Sequence, residues 1–291
     1  MSMFLGTGAS EGIPAAFCSC PQCERARQRG GKNIRSRSSF LINENSIIDL
    51  GPDFYWQITA NGLCMQQLQH IFITHTHEDH LSVPELGTRN SAFPRPEMPA
   101  TIYGSTQVIA FIRQMMAQYL PQPVKNQQQN IFAGYLFQVL MPYEEYSIGG
   151  MQVIPLPGAH PGTVAGECAL NYLIRDCSGK QFLYACDTGF YTDEVWRYLQ
   201  EKQPRLTYLI IECTYGTYRT CPAGAYPYGH QDYPTLLTML EALEKCGCIT
   251  RKTPVYVTHI CHLSADGYEE MQAYFDSLNW TIYSAYDGLR L

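Results

Sequence analysis

The 291-residue sequence contains no apolar run long enough to cross a membrane. Its first residues, MSMFLGTGAS, have neither the basic flank nor the apolar length of a secretion signal. Basic runs are also lacking, and the formal net charge is −6, so nothing electrostatic favours binding to a nucleic-acid polymer or a membrane. We expect a cytoplasmic protein in which any anionic substrate is attracted by a local positive site.

Glycine-rich phosphate-binding motifs are missing as well. Gly6, Gly8 and Gly12 do not form a dinucleotide fingerprint, because the third glycine falls one position late, and no Gly-Lys-Ser/Thr follows them. Linkers and low-complexity segments are also lacking, although the chain is long enough to bury a large core. We therefore predict a single domain over residues 1–291.

The twelve cysteines are not spaced like those of a small disulfide-linked domain. Four of them occur in mostly apolar segments and are predicted to be buried thiols: Cys64, Cys168, Cys186 and Cys213. Reduced cysteines agree with a cytoplasmic location.

Apolar runs that end in a histidine or a carboxylate recur along the chain and alternate with predicted helices. The predicted strands are IFITH (71–75), FLYACD (182–187), YLIIE (208–212) and VYVTH (255–259), with the looser run VIPLPGAH (153–160); the predicted helices cover 106–120, 190–202, 234–246 and 264–277, with a further helix from His80 onwards. This alternation predicts an α/β fold whose functional residues lie just beyond the strand ends.

The first of these strands runs into THTHEDH, which contains His75, His77, Asp79 and His80. Neutral imidazole and carboxylate are the ligands that zinc, manganese and iron accept in proteins. So many ligand groups in one turn would repel one another unless a cation gathered them. The segment therefore predicts a metal centre.

The whole pattern resembles the metallo-β-lactamase superfamily: the HTHEDH motif is followed by His160, by an aspartate at a strand end and by a late histidine at a strand end. The resemblance implies an αββα sandwich of two mixed β-sheets flanked by helices. It also implies two divalent ions, zinc or manganese or alternatively iron: His75, His77 and His160 would hold one, Asp79, His80 and His259 the other, and Asp187 would bridge them. Asp49 would support the ligands from behind.

The charges of such a site favour an anionic substrate. Two divalent ions, two aspartates and a bridging hydroxide leave about one positive charge, which would attract a phosphodiester. Paired ions can also lower the pKa of a bridging water toward 7, so water would be the nucleophile.

A second cluster, Cys18-Ser-Cys20-Pro-Gln-Cys23, offers three thiols but lacks a fourth ligand. Zinc is the favoured ion, and an iron–sulfur cluster is the alternative. Together with THICH at 258–262, the cluster resembles the phosphoribosyl 1,2-cyclic phosphate phosphodiesterase branch of the superfamily. That resemblance implies a structural zinc held in a small loop at 18–23, with His262 as the fourth ligand.

The leaving group of a phosphodiester needs a proton as it departs, and the sequence offers two candidate acids. Tyr215 occupies the place where the related phosphodiesterase has a histidine, and His230 is the other candidate. Ser10, Glu11 and the tyrosine-rich segment 215–228 could line the pocket. Arg35, Arg37 and Arg89 could contact an anionic substrate, although surface arginines usually have no such role.

These observations together favour a dinuclear metal-dependent phosphodiesterase acting on a small cyclic phosphate or nucleotide-like ester. A lactonase or other carboxylic-ester hydrolase is the alternative that Tyr215 favours, and a non-catalytic zinc-containing binding protein is a further one. We expect a small anionic substrate, no nucleic-acid polymer and no membrane partner, and the protein could form a homodimer.

Overall fold

The computed structural model describes residues 1–119, 134–218, 225–227, 229–264 and 266–291, and within them two mixed β-sheets pack face to face. The first sheet has the strand order β1 to β6: Met3–Gly6, Ser39–Asn43, Ser46–Ile48, His70–Phe72, Ala100–Gly104 and Tyr135–Val139. Strands β1 to β3 are antiparallel to one another, whereas β3 to β6 are parallel.

The second sheet repeats this arrangement. Its strands, in chain order β7 to β13, are Tyr146–Ile148, Met151–Pro161, Cys168–Arg175, Gln181–Ala185, Tyr208–Glu212, Val255–Thr258 and Ile282–Ser284. The pairs from β7 to β10 are antiparallel, and those from β10 to β13 are parallel. Because the parallel strands of each sheet end at one edge, the residues that follow them can meet.

The alternation of side chains along each strand explains the layers. On β10, Phe182 and Tyr184 face the first sheet, where their rings lie 6.0 and 5.8 Å from that of Phe40. Leu183 and Ala185 point the other way and pack among the helices. All four are almost fully buried, so the strand carries no polar face.

Helices cover the outer face of each sheet. They are α1 Pro21–Arg29, α2 Phe54–Ala60, α3 Val83–Gly87, α4 Thr106–Tyr119, α5 Asp193–Lys202, α6 Tyr233–Lys245 and α7 Tyr268–Asp276. Helix α4 buries Val108, Ile112 and Met116 against the first sheet, and α6 buries Leu236 and Leu240 against the second. Each such side chain contributes about 1.5–3 kcal/mol when fully buried. The predicted αββα sandwich is confirmed, and no helix in the described ranges is long and apolar enough to span a membrane.

Some local predictions are wrong. The helix expected from His80 begins at Val83, because the intervening Leu81 pairs with Leu50 in an isolated parallel bridge that keeps the backbone extended. Cys64 and Cys168 are exposed, the first in the loop after α2 and the second at the start of β9, whereas Cys186 and Cys213 are buried as predicted. The last residue of the predicted helix 106–120 lies outside the described residues.

Candidate metal centre and active-site pocket

Asp187 lies at the centre of the histidines and carboxylates that the sequence singled out. Its Oδ2 atom is 3.2 Å from Nε2 of His75 and 3.0 Å from Nε2 of His80. Its Oδ1 atom is 3.1 Å from Nε2 of His259. The carboxylate thus touches ligand candidates from both sheets.

The remaining candidates join the same group. Nδ1 of His77 is 2.9 Å from Nε2 of His75 and 3.2 Å from Nε2 of His160. On the other side of the aspartate, Oδ2 of Asp79 is 3.2 Å from Nε2 of His80 and 3.4 Å from that of His259. The structure therefore brings all seven residues together: His75, His77, Asp79, His80, His160, Asp187 and His259.

The backbone at this edge is turned sharply to aim these groups inward. Asp187 and His259 have φ values of 51° and 57°, and Asp49 has 61°. Non-glycine residues avoid this left-handed region, at a cost of about 1–3 kcal/mol each. Asp49 and His259 directly follow the last residue of a strand, Asp187 lies two residues beyond the end of β10, and His160 lies within strand β8.

Asp49, which the family resemblance implies as a support behind the ligands, contacts the imidazoles of the first sheet. One carboxylate oxygen is 2.7 Å from Nδ1 of His80, and both oxygens accept the hydroxyl of Thr74 at 3.0 Å. The Thr74 oxygen is 2.9 Å from Nδ1 of His75. Because both Nδ1 atoms are engaged, both Nε2 atoms face the centre.

Glu212, at the end of β11, does the same in the second sheet and was missed from the sequence. Its carboxylate accepts the Thr214 hydroxyl at 2.5 Å, and the Thr214 oxygen is 2.8 Å from Nδ1 of His259. The same carboxylate lies 3.2 Å from Nδ1 of His230. The available signal was that YLIIE ends in a carboxylate just as the neighbouring strands end in ligands.

His230 is held beside the centre without joining the seven. Burial alone would lower the pKa of His230, but the Glu212 carboxylate raises it to about 9. Burial likewise opposes ionisation of Glu212, yet His230 lowers the pKa of that carboxyl to about 2. With Nδ1 directed at Glu212, Nε2 is the nitrogen left for a substrate.

The donor set fits divalent metal ions. Burial lowers the pKa of His75 to about 3, which leaves its imidazole in the neutral, metal-binding form. Oδ1 of Asp187 is buried and receives no hydrogen bond in the described part of the chain, although His259 is close. A buried oxygen without a donor costs about 1–3 kcal/mol unless something else, such as a cation, satisfies it.

These groups adjoin a cavity of about 370 Å³. Tyr215 and His230 line it, as do Ser10 and Glu11 from the N-terminal loop and Leu263. The described lining residues include no lysine or arginine. Residues 219–224 and 228 of the tyrosine-rich segment lie outside the described residues.

The three arginines considered for substrate binding do not line this cavity. Arg35 is not a surface residue: it is buried, and its guanidinium donates to Thr7 and to the Ala285 carbonyl. Arg37 forms an ion pair with Asp53 at 2.9 Å, and Arg89 donates to backbone carbonyls beside the segment at 94–98.

The cysteine cluster meets the late histidine. Nδ1 of His262 is 3.3 Å from Sγ of Cys18 and 3.5 Å from Sγ of Cys20. Together with Cys23, the four ligand atoms lie within 4.8 Å of one another. Three sulfurs and one nitrogen at this spacing fit a closed tetrahedral zinc site.

Comparison with known proteins places this geometry in context. The chain resembles a diphosphatase of the PhnP family (TM-score 0.72, 21% identity, 100% of this chain and 96% of that one). It also resembles the metallo-beta-lactamase fold protein YhfI from Bacillus subtilis (TM-score 0.64, 14% identity, 99% and 97%). The chain therefore has the metallo-β-lactamase fold.

The amino-acid sequence also matches a curated protein over 120 residues and a protein family over a longer range. The chain is 32% identical to ribonuclease Z of Geobacillus kaustophilus over 120 residues, which is 40% of this chain and 33% of that protein. The match thus spans about a third of the curated relative. The family described as Anti-Pycsar protein Apyc1 matches residues 36–226, well over half of the sequence. The chain belongs to the Anti-Pycsar Apyc1 family.

Proposed function

We propose that the chain is a metal-dependent hydrolase with two divalent ions, zinc or manganese, and that it acts as a phosphodiesterase on a small cyclic phosphate or nucleotide-like ester. The observation that carries the proposal is the convergence of seven imidazole and carboxylate groups beside a pocket that also contains His230 and Glu212. The ions are assigned to two sets that share Asp187: His75, His77 and His160, and Asp79, His80 and His259.

Two ions held by these residues would lower the pKa of a water molecule toward neutrality and polarise phosphoryl oxygens. The protein's part is to fix both sets of ligands before the substrate arrives, through the strand ends and through Asp49 and Glu212. His230 then serves as the general acid for the leaving oxygen. Glu212 holds its Nδ1 atom, so Nε2 faces the pocket and carries the proton to be donated.

The charge of the pocket favours a small substrate with one anionic group. The described lining residues offer His230 but no lysine or arginine, so the ions supply most of the positive charge. A nucleic-acid polymer would need a row of basic side chains along its backbone, and the net charge of −6 does not favour one. The names of two relatives, a diphosphatase and a ribonuclease, denote enzymes acting at phosphate linkages.

Tyr215 favours a second candidate, a lactonase or other carboxylic-ester hydrolase. Its side chain lines the same pocket, and its ring lies edge-on to His230 with centroids 5.4 Å apart. A phenol hydroxyl can donate to a carbonyl oxygen as well as to a phosphoryl oxygen.

We also propose that Cys18, Cys20, Cys23 and His262 hold a structural zinc. His262 lies three residues after His259, and the backbone of Ile260 between them pairs with Thr7 and Ala9. The zinc would thus join the loop carrying Ser10 and Glu11 to the strand end that supplies His259.

Hydrolysis of bis(p-nitrophenyl) phosphate in the presence of manganese or zinc tests the main proposal. The wild-type protein is expected to release p-nitrophenolate, and Asp187→Ala is expected to fall to the buffer rate because both ions lose their shared ligand. Glu241→Gln, an exposed change on α6, should keep the wild-type rate.

A panel of lactones and carboxylic esters is measured alongside. Turnover of these substrates without any turnover of phosphodiesters would replace the phosphodiesterase by the second candidate. Ion binding without hydrolysis of either class would make the chain a zinc-containing binding protein.

A further inference from the structure

A buried carboxylate that takes no part in the proposed reaction lies behind the ligand loop of the first sheet. This residue, Glu167, is only 6% exposed, and no lysine or arginine in the described ranges forms an ion pair with it. It accepts the Thr76 backbone N–H at 2.9 Å, the Thr76 hydroxyl at 2.5 Å and the Val164 backbone N–H at 3.2 Å. Two of its three donors thus belong to one residue.

Thr76 is the residue between His75 and His77. A second set of hydrogen bonds fixes it to Thr163, which follows His160 by three positions: the Thr163 N–H donates to the Thr76 hydroxyl at 3.0 Å, and the Thr163 hydroxyl donates to the Thr76 carbonyl at 3.1 Å. These contacts join the two chain segments that carry all three imidazoles assigned to the first ion.

The chain leaves room for this carboxylate. A Cβ atom at Gly162 would overlap with the carboxyl group of Glu167, so any residue larger than glycine would push it off Thr76. The stretch from His160 to Glu167 therefore contains a ligand, the glycine that makes space and the carboxylate that reaches back to the other ligands.

In the tautomers that can bind an ion, the three imidazoles do not attract one another and need such support. Nε2 of His75 and Nδ1 of His77 are 2.9 Å apart, and Nε2 of His160 is 3.2 Å from the same Nδ1 atom. Neutral ring nitrogens whose lone pairs converge on one point repel until an ion is bound. Their arrangement must therefore be held from outside.

We propose that Glu167 is a positioning residue for the first ion: by fixing Thr76 it holds His75 and His77 opposite His160 before the ion binds. The inference depends on the metal centre of the proposed function. The ligands of the second ion are held by other groups, among them Asp49 and Thr214, so the effect of Glu167 is confined to the first ion. Losing such support usually lowers metal affinity about 10- to 100-fold.

Calorimetric titration with Mn²⁺ tests this proposal. It uses protein from which metal has been removed by a chelator, in two background variants that each lack one ligand. Asp79→Ala leaves the first set of ligands complete, and His77→Ala leaves the second. Glu167→Gln puts an amide NH₂ among groups that are all donors. It is expected to weaken binding at least about tenfold in the Asp79→Ala background and less than twofold in the His77→Ala background.

Thr76→Val removes the hydroxyl that donates to the Glu167 carboxylate. It should reproduce the selective loss of affinity in the Asp79→Ala background. Glu241→Gln is the matched control and should change neither titration. Equal weakening in both backgrounds, with a lowered melting temperature, would show a merely structural role and overturn the proposal, as would unchanged binding in both. If the otherwise unchanged protein bound no Mn²⁺ or Zn²⁺, the metal centre itself would fail and this inference with it.

Discussion

Each sheet orients its imidazoles with one buried carboxylate acting partly through a threonine hydroxyl. In the first sheet the pair is Asp49 and Thr74, and in the second it is Glu212 and Thr214. The threonine hydroxyl donates a hydrogen bond to the carboxylate and accepts one from Nδ1 of a ligand histidine. These bonds fix the orientation and the tautomer of the imidazole. The two sheets differ in one respect. Glu212 also contacts Nδ1 of His230, an imidazole outside the ligand set, and this leaves Nε2 of that ring available to donate a proton.

Substituting His230 tests its role as the acid. His230→Ala is expected to slow hydrolysis of a phosphodiester with an alkoxide leaving group roughly 10²- to 10⁴-fold. It should have little effect on p-nitrophenolate departure, because that group leaves without a proton. The readout is kcat for the two substrates.

Tyr215→Phe is the matched control, since it removes a hydroxyl from the same pocket. A greater leaving-group dependence in Tyr215→Phe than in His230→Ala would transfer the acid role to the tyrosine.

At the level of single residues, the sequence indicated which side chains are chemically important better than it indicated which residues would surround them. Asp49 could be anticipated because it ends an apolar run, as the corresponding aspartate does in the family that the sequence resembles. Glu167 could not, since its partner Thr76 lies 91 positions away and nothing local marks the pairing. Arg35 was wrongly placed on the surface because its acceptors, Thr7 and Ala285, come from the two ends of the chain.

Among the elements, those with strong periodicity were predicted and those shaped by tertiary pairing were not. Helix α6 at Tyr233–Lys245 agrees within one residue with the predicted 234–246, because its apolar spacing is regular. Helix α3 begins later than expected, since the pairing of Leu81 with Leu50 delays its start and Pro84 suits only its first turn.

The cysteine loop is an element whose stability should depend on its ion. Cys23 is fully buried, and its sulfur accepts the Ala15 N–H at 3.3 Å. Cys23→Ser is expected to lower the zinc content by one ion per chain, because serine is a poor zinc ligand. In a chain of this size, each kcal/mol lost from the free energy of unfolding lowers the melting temperature by about 2–4 °C. For Cys23→Ser we expect a drop of at least about 4 °C.

Elemental analysis and thermal melting provide the two readouts. Cys64→Ser, at an exposed position outside the cluster, should leave both unchanged. A Cys23→Ser protein with its full zinc content and melting temperature would exclude the structural zinc.

For the molecule as a whole, two similarly built sheets bring ligands from distant parts of the sequence to one edge. His75 and Asp187 are separated by more than a hundred residues yet lie 3.2 Å apart, because each follows a strand of its own sheet. The alternation of apolar runs and helices predicted an α/β fold with functional residues just beyond the strand ends, and the family resemblance implied the two-sheet sandwich and which strand ends would meet. The cytoplasmic location and the homodimer stay predictions.

The central claim is that two ions occupy this edge on either side of Asp187. Anomalous diffraction from crystals grown with Mn²⁺ or Zn²⁺ tests it most directly. We predict two peaks about 3.5–4 Å apart, one among His75, His77 and His160 and one among Asp79, His80 and His259, both in contact with Asp187. Crystals with no peak beside Asp187, or with its imidazole neighbours turned away from a common centre, would contradict the account.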